Sequence, residues 1–352
     1  MKSKKSKKTK GSSKLVQFFK IFVILATSAL ICITTYFVYL TKQAEMAANN
    51  AYEQEGDRDS AKRQEVVNAA TDNVSVLFIG IDDSEKRGQG AETSRSDALI
   101  LATLNNKNKS IKLLSIPRDS YVYIPHVGYK DKITHAHSFG GTHASIETIE
   151  ELFDIPIDYY VRLNFDAFVD VVDALGGVEV EVPYNIVEKD ENDFPTVQLK
   201  EGLQLLDGRE TLALARTRKA DSDLERGKRQ QEILKSIILK TASVSAVTKY
   251  DDIIEAVGDN MRTNMKFKEM KSFVAYLSSG IPYIETLNLT GYDSWEGGYY
   301  YMLDETSVQD TSEILKIHLG LTPSNYTNNT NGSSHAEPYN SASTTDSYSS
   351  SY

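Results

Sequence analysis

Six arginines stand in short polar clusters beside apolar stretches: Arg95, Arg118, Arg216, Arg218, Arg226 and Arg229. A guanidinium stays protonated and grips phosphate through parallel N–H donors, so arginines brought together suit a phosphate or pyrophosphate. Any one of the six would pass as a surface ion pair. Three separate clusters, all at the ends of apolar elements where sites are built, argue for one anionic partner. Carboxylates accompany them. Asp82 and Asp83 follow the run FIGI, Asp97 shares TSRSDALI with Arg95, and Asp119 follows Arg118 in SIPRDS. Asp82 and Asp97 are candidate ligands for Mg²⁺ or Mn²⁺, hard cations held by one or two carboxylates plus substrate phosphates. A turn former and an arginine partner are the plainer roles for the same two residues. His135-Ala-His137 comes without the Cys, Asp or Glu at set spacings that a zinc site brings. No Walker loop, G-x-G-x-x-G, G-x-S-x-G or H-E-x-x-H is present.

Local elements must carry these groups. Val74–Ile81 (VSVLFIGI) is a continuous apolar run, as in a strand buried on both faces, and Ala98–Leu104 and Ile111–Ile116 are further strand candidates. Arg95 and Asp97 then lie before a strand, and Arg118 and Asp119 lie after one. Val178–Val182 (VEVEV) alternates like a strand. Helical spacing covers Ser145–Phe153 and Phe165–Leu175, the latter stopped by Gly176-Gly177. Asp207 caps a short helix running to about Ala215, and a long helix follows over about Leu224–Val244. Arg216 and Arg218 share a side if ARTR is extended. On the long helix Arg226, Gln230, Ile233 and Ile237 fall on one stripe, an inward-facing arginine near a helix N-terminus that also favours anions. Helices are expected near 251–258, 267–278 and 305–318, while Lys132 and His135 read as polar loop residues. Phe165, Phe168, Val169 and Val172, with Ile233, Leu234 and Ile237, form apolar faces that suit either an ordinary core or a slot for a lipid tail beside the arginines. Strands mixed with helices predict a layered α/β domain.

Ile21–Leu40 holds twenty residues without a charge, flanked by Lys20 and Lys42. As a helix it would span about 30 Å, the thickness of a bilayer's hydrocarbon core. It is longer than the apolar core of a cleaved signal peptide. Ile31 before Cys32 departs from a lipoprotein signal, and a lone cysteine leaves no intrachain disulfide. Residues 1–42 carry nine lysines and no acid, so the formal charge of -10 hides a far more acidic remainder, with 30 basic and 49 acidic side chains. The lysines place the N-terminus in the cytoplasm. The expected organisation is a cytoplasmic basic tail over 1–20, a transmembrane helix over 21–40, an extracellular stalk over 41–72, an extracellular catalytic domain over 73–321 and a disordered tail over 322–352, where hydrophobic aliphatics run out. Hydrophobic content of 40% excludes a wholly disordered chain. The basic tail has no folded core, which argues against a nucleic-acid partner.

The motifs LFIGIDDS, TSRSDALI, LLSIPRDSYVYIP, DKITHAHSFGG, IPIDYYVRLNF, VDALGGVEVEV, LQLLDGRETLALARTR and ERGKRQQEIL, in this order behind one membrane span, resemble the LytR-CpsA-Psr family. The resemblance implies an α/β/α sandwich with a central mixed sheet and a long apolar pocket, in a single-pass cell-membrane protein. It implies a phosphotransferase that moves a glycopolymer from a polyprenyl-pyrophosphate carrier onto peptidoglycan, leaving a phosphodiester. Capsule, teichoic acid and other wall polymers share that handle. Carried over by position, Asp82 and Asp97 match the family's Mg²⁺-associated aspartates. Arg95, Arg118, Arg216, Arg218, Arg226, Arg229 and Gln230 match its pyrophosphate-binding set, with Asp82, Asp97, Arg118 and Arg218 expected to be catalytic. Two departures are visible: Thr134 stands where Asn is frequent, and Glu225 and Gly227 flank Arg226 where Gly commonly precedes it, so a different local turn is expected. A non-catalytic receptor for lipid-pyrophosphate glycans and a polyprenyl pyrophosphatase are the competing readings of the same residues.

Overall fold

The structure, a computed structural model, describes residues 12–53, 62–63, 67–82, 90–91, 93–188, 197–217, 223–243 and 261–322. Asp83, Arg218, the expected helix near 251–258 and the expected tail from 323 onward lie outside the described residues.

A six-stranded mixed sheet forms the centre, in the order β11 (Met261–Thr263), β6 (Tyr159–Leu163), β1 (Val74–Ile81), β2 (Ser96–Asn105), β3 (Ser110–Ser115) and β12 (Tyr283–Leu287). β1 runs antiparallel to β2 and parallel to β6, and β3 runs parallel to β12. The pleat divides β1 and β2 between two cores. Leu77, Ile79, Leu99 and Leu101 turn to one face, under α2 (Ile133–Phe153) and α7 (Glu305–Leu319). Val76, Ala102 and Leu104 turn to the other, under α5 (Asp223–Ser243) and α6 (Phe267–Ser278). Helices on both faces of one mixed sheet make the expected α/β/α sandwich. A third core joins α3 (Phe165–Ala174), α4 (Gly208–Arg216) and α5 to two small sheets, β7 (Val178–Val182) with β10 (Gly202–Leu206), and β8 (Ile186–Glu188) with β9 (Val197–Leu199). β4 (Tyr121–Ile124) pairs β5 (Tyr129–Lys132), and β13 (Gly291–Ser294) pairs β14 (Tyr300–Leu303).

Two expectations change. Lys132 ends strand β5 and His135 lies in a helix rather than in a loop, a helix that breaks at Gly140 and Gly141 before continuing to Phe153. The N-terminal helix α1 spans Ser12–Ala51, well past Leu40, and described residues within the expected stalk over 41–72 pack against the domain. Ala44, Ala48 and Ala51 are buried on the domain beside β11 and α6, Tyr52 bridges Thr263, and Ala69 joins the core. Small side chains at helical spacing let α1 come close. Phe18–Ala51 is long and apolar enough to cross a membrane, and its apolar side chains from Phe18 to Tyr39 are exposed.

His318 on α7 is buried between Thr103 Oγ1, 2.8 Å from its Nδ1, and Ser110 Oγ, 2.9 Å from its Nε2. Burial, helped by the charge of Lys112, pushes its pKa down to about 4. The neutral ring belongs to the folded state, so its contribution is complete above about pH 6.5 and is lost as pH falls toward 4. Urea melts of His318→Gln are therefore expected to lose less stability than wild type between pH 7 and 4.5, by on the order of 2 kcal/mol. Equal losses in both proteins would place that pH dependence elsewhere.

Candidate functional site

A cavity of about 770 Å³ lies between the α5/α6 face of the sheet and the helices above it. Missing volume on the sheet creates it. Gly80, Ala98 and Ala102 occupy the cavity-facing positions of β1 and β2, and Gly80 sits opposite Ala98, where a Cβ on Gly80 would come within 3.1 Å of the Ala98 Cβ. The walls are apolar: Phe78, Ile100 and Leu104 from the sheet, Phe165, Phe168 and Val171 from α3, Ile233, Leu234 and Ile237 from α5, and Met270, Phe273 and Leu277 from α6. One part is polar, with Asp82, Asp97, Asn164, Glu188, Arg216, Arg226 and Gln230.

Helical spacing explains α5. Positions 226, 230, 233, 234 and 237 share one face, and all five line the cavity. Side chains beside that face fix the helix. Gln231 Nε2 donates to the carbonyls of Leu113 (3.0 Å) and Leu287 (2.8 Å), pinning α5 across β3 and β12. Gly227 permits a close approach to β3, since a Cβ there would meet Ser115 Oγ at 2.6 Å. Residues 225–227 are thus ordinary helix and form no separate turn. Arg229 is buried; its Nη2 donates to the Thr217 carbonyl at 2.7 Å and its Nε to the Leu214 carbonyl at 3.3 Å. Gln230 Nε2 reaches the Ala215 carbonyl at 3.2 Å. These bonds satisfy the C-terminal carbonyls of α4, where a cation also suits the helix dipole.

Asp207 caps α4 as expected, in a capping box with Glu210, and α4 delivers Arg216. Arg216 is helical, so the extended reading of ARTR does not hold at this residue. Its guanidinium carbon lies 4.5 Å from the centre of the Phe165 ring, a cation–π contact that aims it into the cavity. Asn164 caps α3 by accepting from the Ala167 N–H at 2.9 Å.

Arg118 organises the mouth. Its Nη1 donates to Asp97 Oδ1 at 2.7 Å, and its Nε lies 3.5 Å from Asp119 Oδ2 and 3.7 Å from Asp223 Oδ2. Burial opposes the charge, but Asp223, Asp97 and Asp119 outweigh it and raise the guanidinium's pKa. Asp223 also pairs Arg226 at 2.7 Å, so one carboxylate joins two of the arginines. Lys132 Nζ donates to the other Asp119 oxygen at 2.6 Å. Thr134 Oγ1 donates to the Ser96 carbonyl at 2.7 Å, and the Thr134 N–H to the Arg118 carbonyl at 3.1 Å, tying the start of α2 to the first residue of β2 and to the turn between β3 and β4. His135 and His137 bond to different groups, Asp131 Oδ2 (2.9 Å) and the Ser94 carbonyl (2.8 Å).

The structure therefore brings Asp82, Asp97, Arg118, Arg216, Arg226 and Gln230 together. Arg95 is exposed at the start of β2 and does not line the cavity. Arg229 faces the C-terminal end of α4, the helix that carries Arg216, and does not line the cavity. Of the expected lipid slot, Phe165, Phe168, Ile233, Leu234 and Ile237 line the cavity, whereas Val169 and Val172 do not. Val172 packs in the third core, and Val169 lies against the N-terminus of α4 at Gly208. Val171 takes the wall position instead. Sequence reading also passed over Asp223, whose one local signal is its position three residues before Arg226, and Asn164 and Glu188, which carry none.

Such a cavity suits an amphiphile with an anionic head and a long apolar tail. Known proteins agree with that shape. The LytR_cpsA_psr family model matches residues 35–317. Bacillus subtilis TagT, a polyisoprenyl-teichoic acid–peptidoglycan teichoic acid transferase, is 41% identical over 322 residues, covering 90% of this chain and 98% of that protein. TagV of the same organism, named for the same activity, is 37% identical over 86% of this chain and 80% of its own length. A structure of TagT bound to LIIa-WTA aligns with a TM-score of 0.65 at 41% identity, covering 75% of this chain and 97% of that one. A structure of the LytR-CPS2A-psr family protein YwtF (TagT) with bound octaprenyl pyrophosphate lipid aligns with a TM-score of 0.61 at 37% identity, over 76% and 98%.

Proposed function

Because the chain belongs to the LytR-CpsA-Psr family, we propose that it is a phosphotransferase that moves a glycopolymer from a polyprenyl-pyrophosphate carrier onto peptidoglycan. The observation that carries this reading is the single cavity in which an apolar trough continues into Arg216, Arg226, Asp82 and Asp97. The polyprenyl tail occupies the trough, and the pyrophosphate meets the arginines. An acceptor hydroxyl attacks the phosphorus attached to the glycan. The bond from that phosphorus to the bridging oxygen breaks, polyprenyl phosphate leaves, and the proton of the acceptor hydroxyl is released. Phosphoryl transfer depends chiefly on positioning and charge stabilisation, which Arg118, Arg216 and Arg226 supply. Arg218 belongs to the same proposed set, as the neighbour of Thr217 at the end of α4. Teichoic acid is the polymer named for the relatives, and it is the polymer proposed here.

Asp82, buried at the end of β1, and Asp97 fit a divalent cation, since Mg²⁺ ordinarily takes one or two carboxylates and completes its shell with water and substrate phosphate. Bound there, Mg²⁺ would neutralise charge on the transferring phosphate. We place the lysine-rich N-terminus in the cytoplasm and the domain outside, with α1 as the anchor.

The test uses the full chain in detergent with a polyprenyl-pyrophosphate-linked glycan and peptidoglycan. Phosphodiester-linked product is expected. Binding without product would replace the proposal with a receptor, and free glycan phosphate formed without acceptor would replace it with a pyrophosphatase. Chelation by EDTA is expected to cut product at least tenfold and added Mg²⁺ to restore it. Asp97→Asn should raise the Mg²⁺ concentration needed. Unchanged turnover in EDTA would remove the cation from the reading.

A further inference from the structure

The β13–β14 hairpin carries aromatic surface that the fold does not use. Trp295, the chain's one tryptophan, is 75% exposed, and Tyr292 is 64% exposed. An indole left in water forgoes the burial that normally holds such a ring in place. Yet this one packs against a neighbour: its ring centre lies 5.0 Å from that of Tyr299, the planes inclined by 51°. Tyr299 is itself fixed, its hydroxyl donating to Asp293 Oδ1 at 3.0 Å.

The hairpin is fastened to the site. The Tyr301 N–H donates to the Asp119 carbonyl at 2.9 Å, and the Tyr300 ring packs edge-on against Tyr121 at 4.8 Å. Lys132, whose ammonium binds Asp119, lies 5.5 Å from the Tyr299 ring centre and 5.6 Å from that of Tyr300. A continuous chain of contacts thus runs from Arg118 through Asp119 and Lys132 to Tyr299 and Trp295.

Aromatic faces flanked by Asp293 and Lys132 match the chemistry of a sugar. The C–H face of a pyranose lies on an aromatic ring while its hydroxyls bond to polar groups at the edge. A membrane contact fits less well. The Asp293 carboxylate borders the rings, and α1 docks beside β11, at the opposite edge of the sheet from β12, which leads into the hairpin. We propose that Trp295 and Tyr299 form a saccharide-stacking platform beside the phosphate site, holding a pyranose ring of the glycan that reacts there. This rests on the transferase reading for its biological ligand. The platform itself stands on the hairpin's geometry.

The ligand chemistry has two sources, the carrier-linked polymer and the wall glycan, and the single tryptophan reports on both. Full-length protein in detergent is titrated with soluble peptidoglycan strands, and separately with the glycopolymer freed of its lipid, following indole fluorescence. A saturable change with at least one is expected, and the one that responds names the source. In the transfer assay Trp295→Ala should raise KM for that glycan about tenfold with little change in kcat, while Trp295→Phe keeps most of the affinity. Binding of polyprenyl pyrophosphate without a sugar should be the same in all three proteins. Silence with both glycans at millimolar concentration, or a response confined to anionic lipid vesicles, would overturn the platform. A fluorescence response without transfer would leave the platform standing and remove the transferase reading.

Discussion

Arg118→Ala is expected to lower the transfer rate by about 10³-fold, the range found when a charge-stabilising group is taken from a phosphoryl or acyl transfer site. The geometry gives two reasons for so large an effect. Arg118 is one of the cations proposed to meet pyrophosphate, and it is also the shared counter-charge of Asp97, Asp119 and Asp223. Without it, Asp97 loses its bond to Arg118, and Asp119 and Asp223 keep Lys132 and Arg226 as counter-charges, so negative charge rises beside the proposed site of the anionic substrate and the change opposes the substrate as well as withdrawing support. Arg118→Lys separates the two roles. It keeps the charge but loses the planar fork that reaches Asp97 with one nitrogen and lies near Asp119 and Asp223 with another. An intermediate loss, about 10- to 100-fold, is expected. The side chain is partly exposed at 23%, so folding should survive, as circular dichroism and thermal melts can check. Wild-type transfer by Arg118→Ala would break the proposed mechanism at its centre.

How much of this was legible in the sequence depends on the range of the forces involved. The stripe Arg226, Gln230, Ile233 and Ile237 was readable because helical periodicity is local, and all four residues line the cavity. On α3 periodicity is ambiguous. That helix is apolar on two sides, toward the cavity and toward the small sheets, and periodicity does not say which stripe faces which. Hence Val169 and Val172 stand in a face that reads as core or slot, while Val171, which lines the cavity, falls outside that face. Asp223 joins Arg118 across a tertiary contact, and spacing along the chain carries no trace of it. The start of α2 read as loop for a related reason: Lys132 and Thr134 are held by Asp119 and the Ser96 carbonyl, partners distant in sequence. The cavity itself was hidden. Gly80, Ala98 and Ala102 leave space only once strand register puts them on one face, and a missing side chain has no signature before that register is known.

That empty volume carries the second large prediction. Ala102 sits mid-strand on β2, 2% exposed, opposite Val76 on the cavity floor. Ala102→Trp would place there a side chain that buries about 150–250 Å², in space the proposed tail occupies. Each displaced methylene forfeits about 0.8 kcal/mol, so excluding a single five-carbon isoprene unit should weaken binding of a long polyprenyl pyrophosphate by about 100-fold or more. A short-chain analogue with the same pyrophosphate should bind Ala102→Trp and wild type alike, because the arginines are untouched. Stability discriminates further. Adding bulk to a close-packed core costs about 1–3 kcal/mol, whereas filling a real apolar cavity should leave the melting temperature unchanged or raise it. Loss of both ligands would show the substitution disturbing the head site. Undiminished binding of the long chain would show that the tail lies elsewhere, and the trough beneath α5 and α6 would then need another occupant.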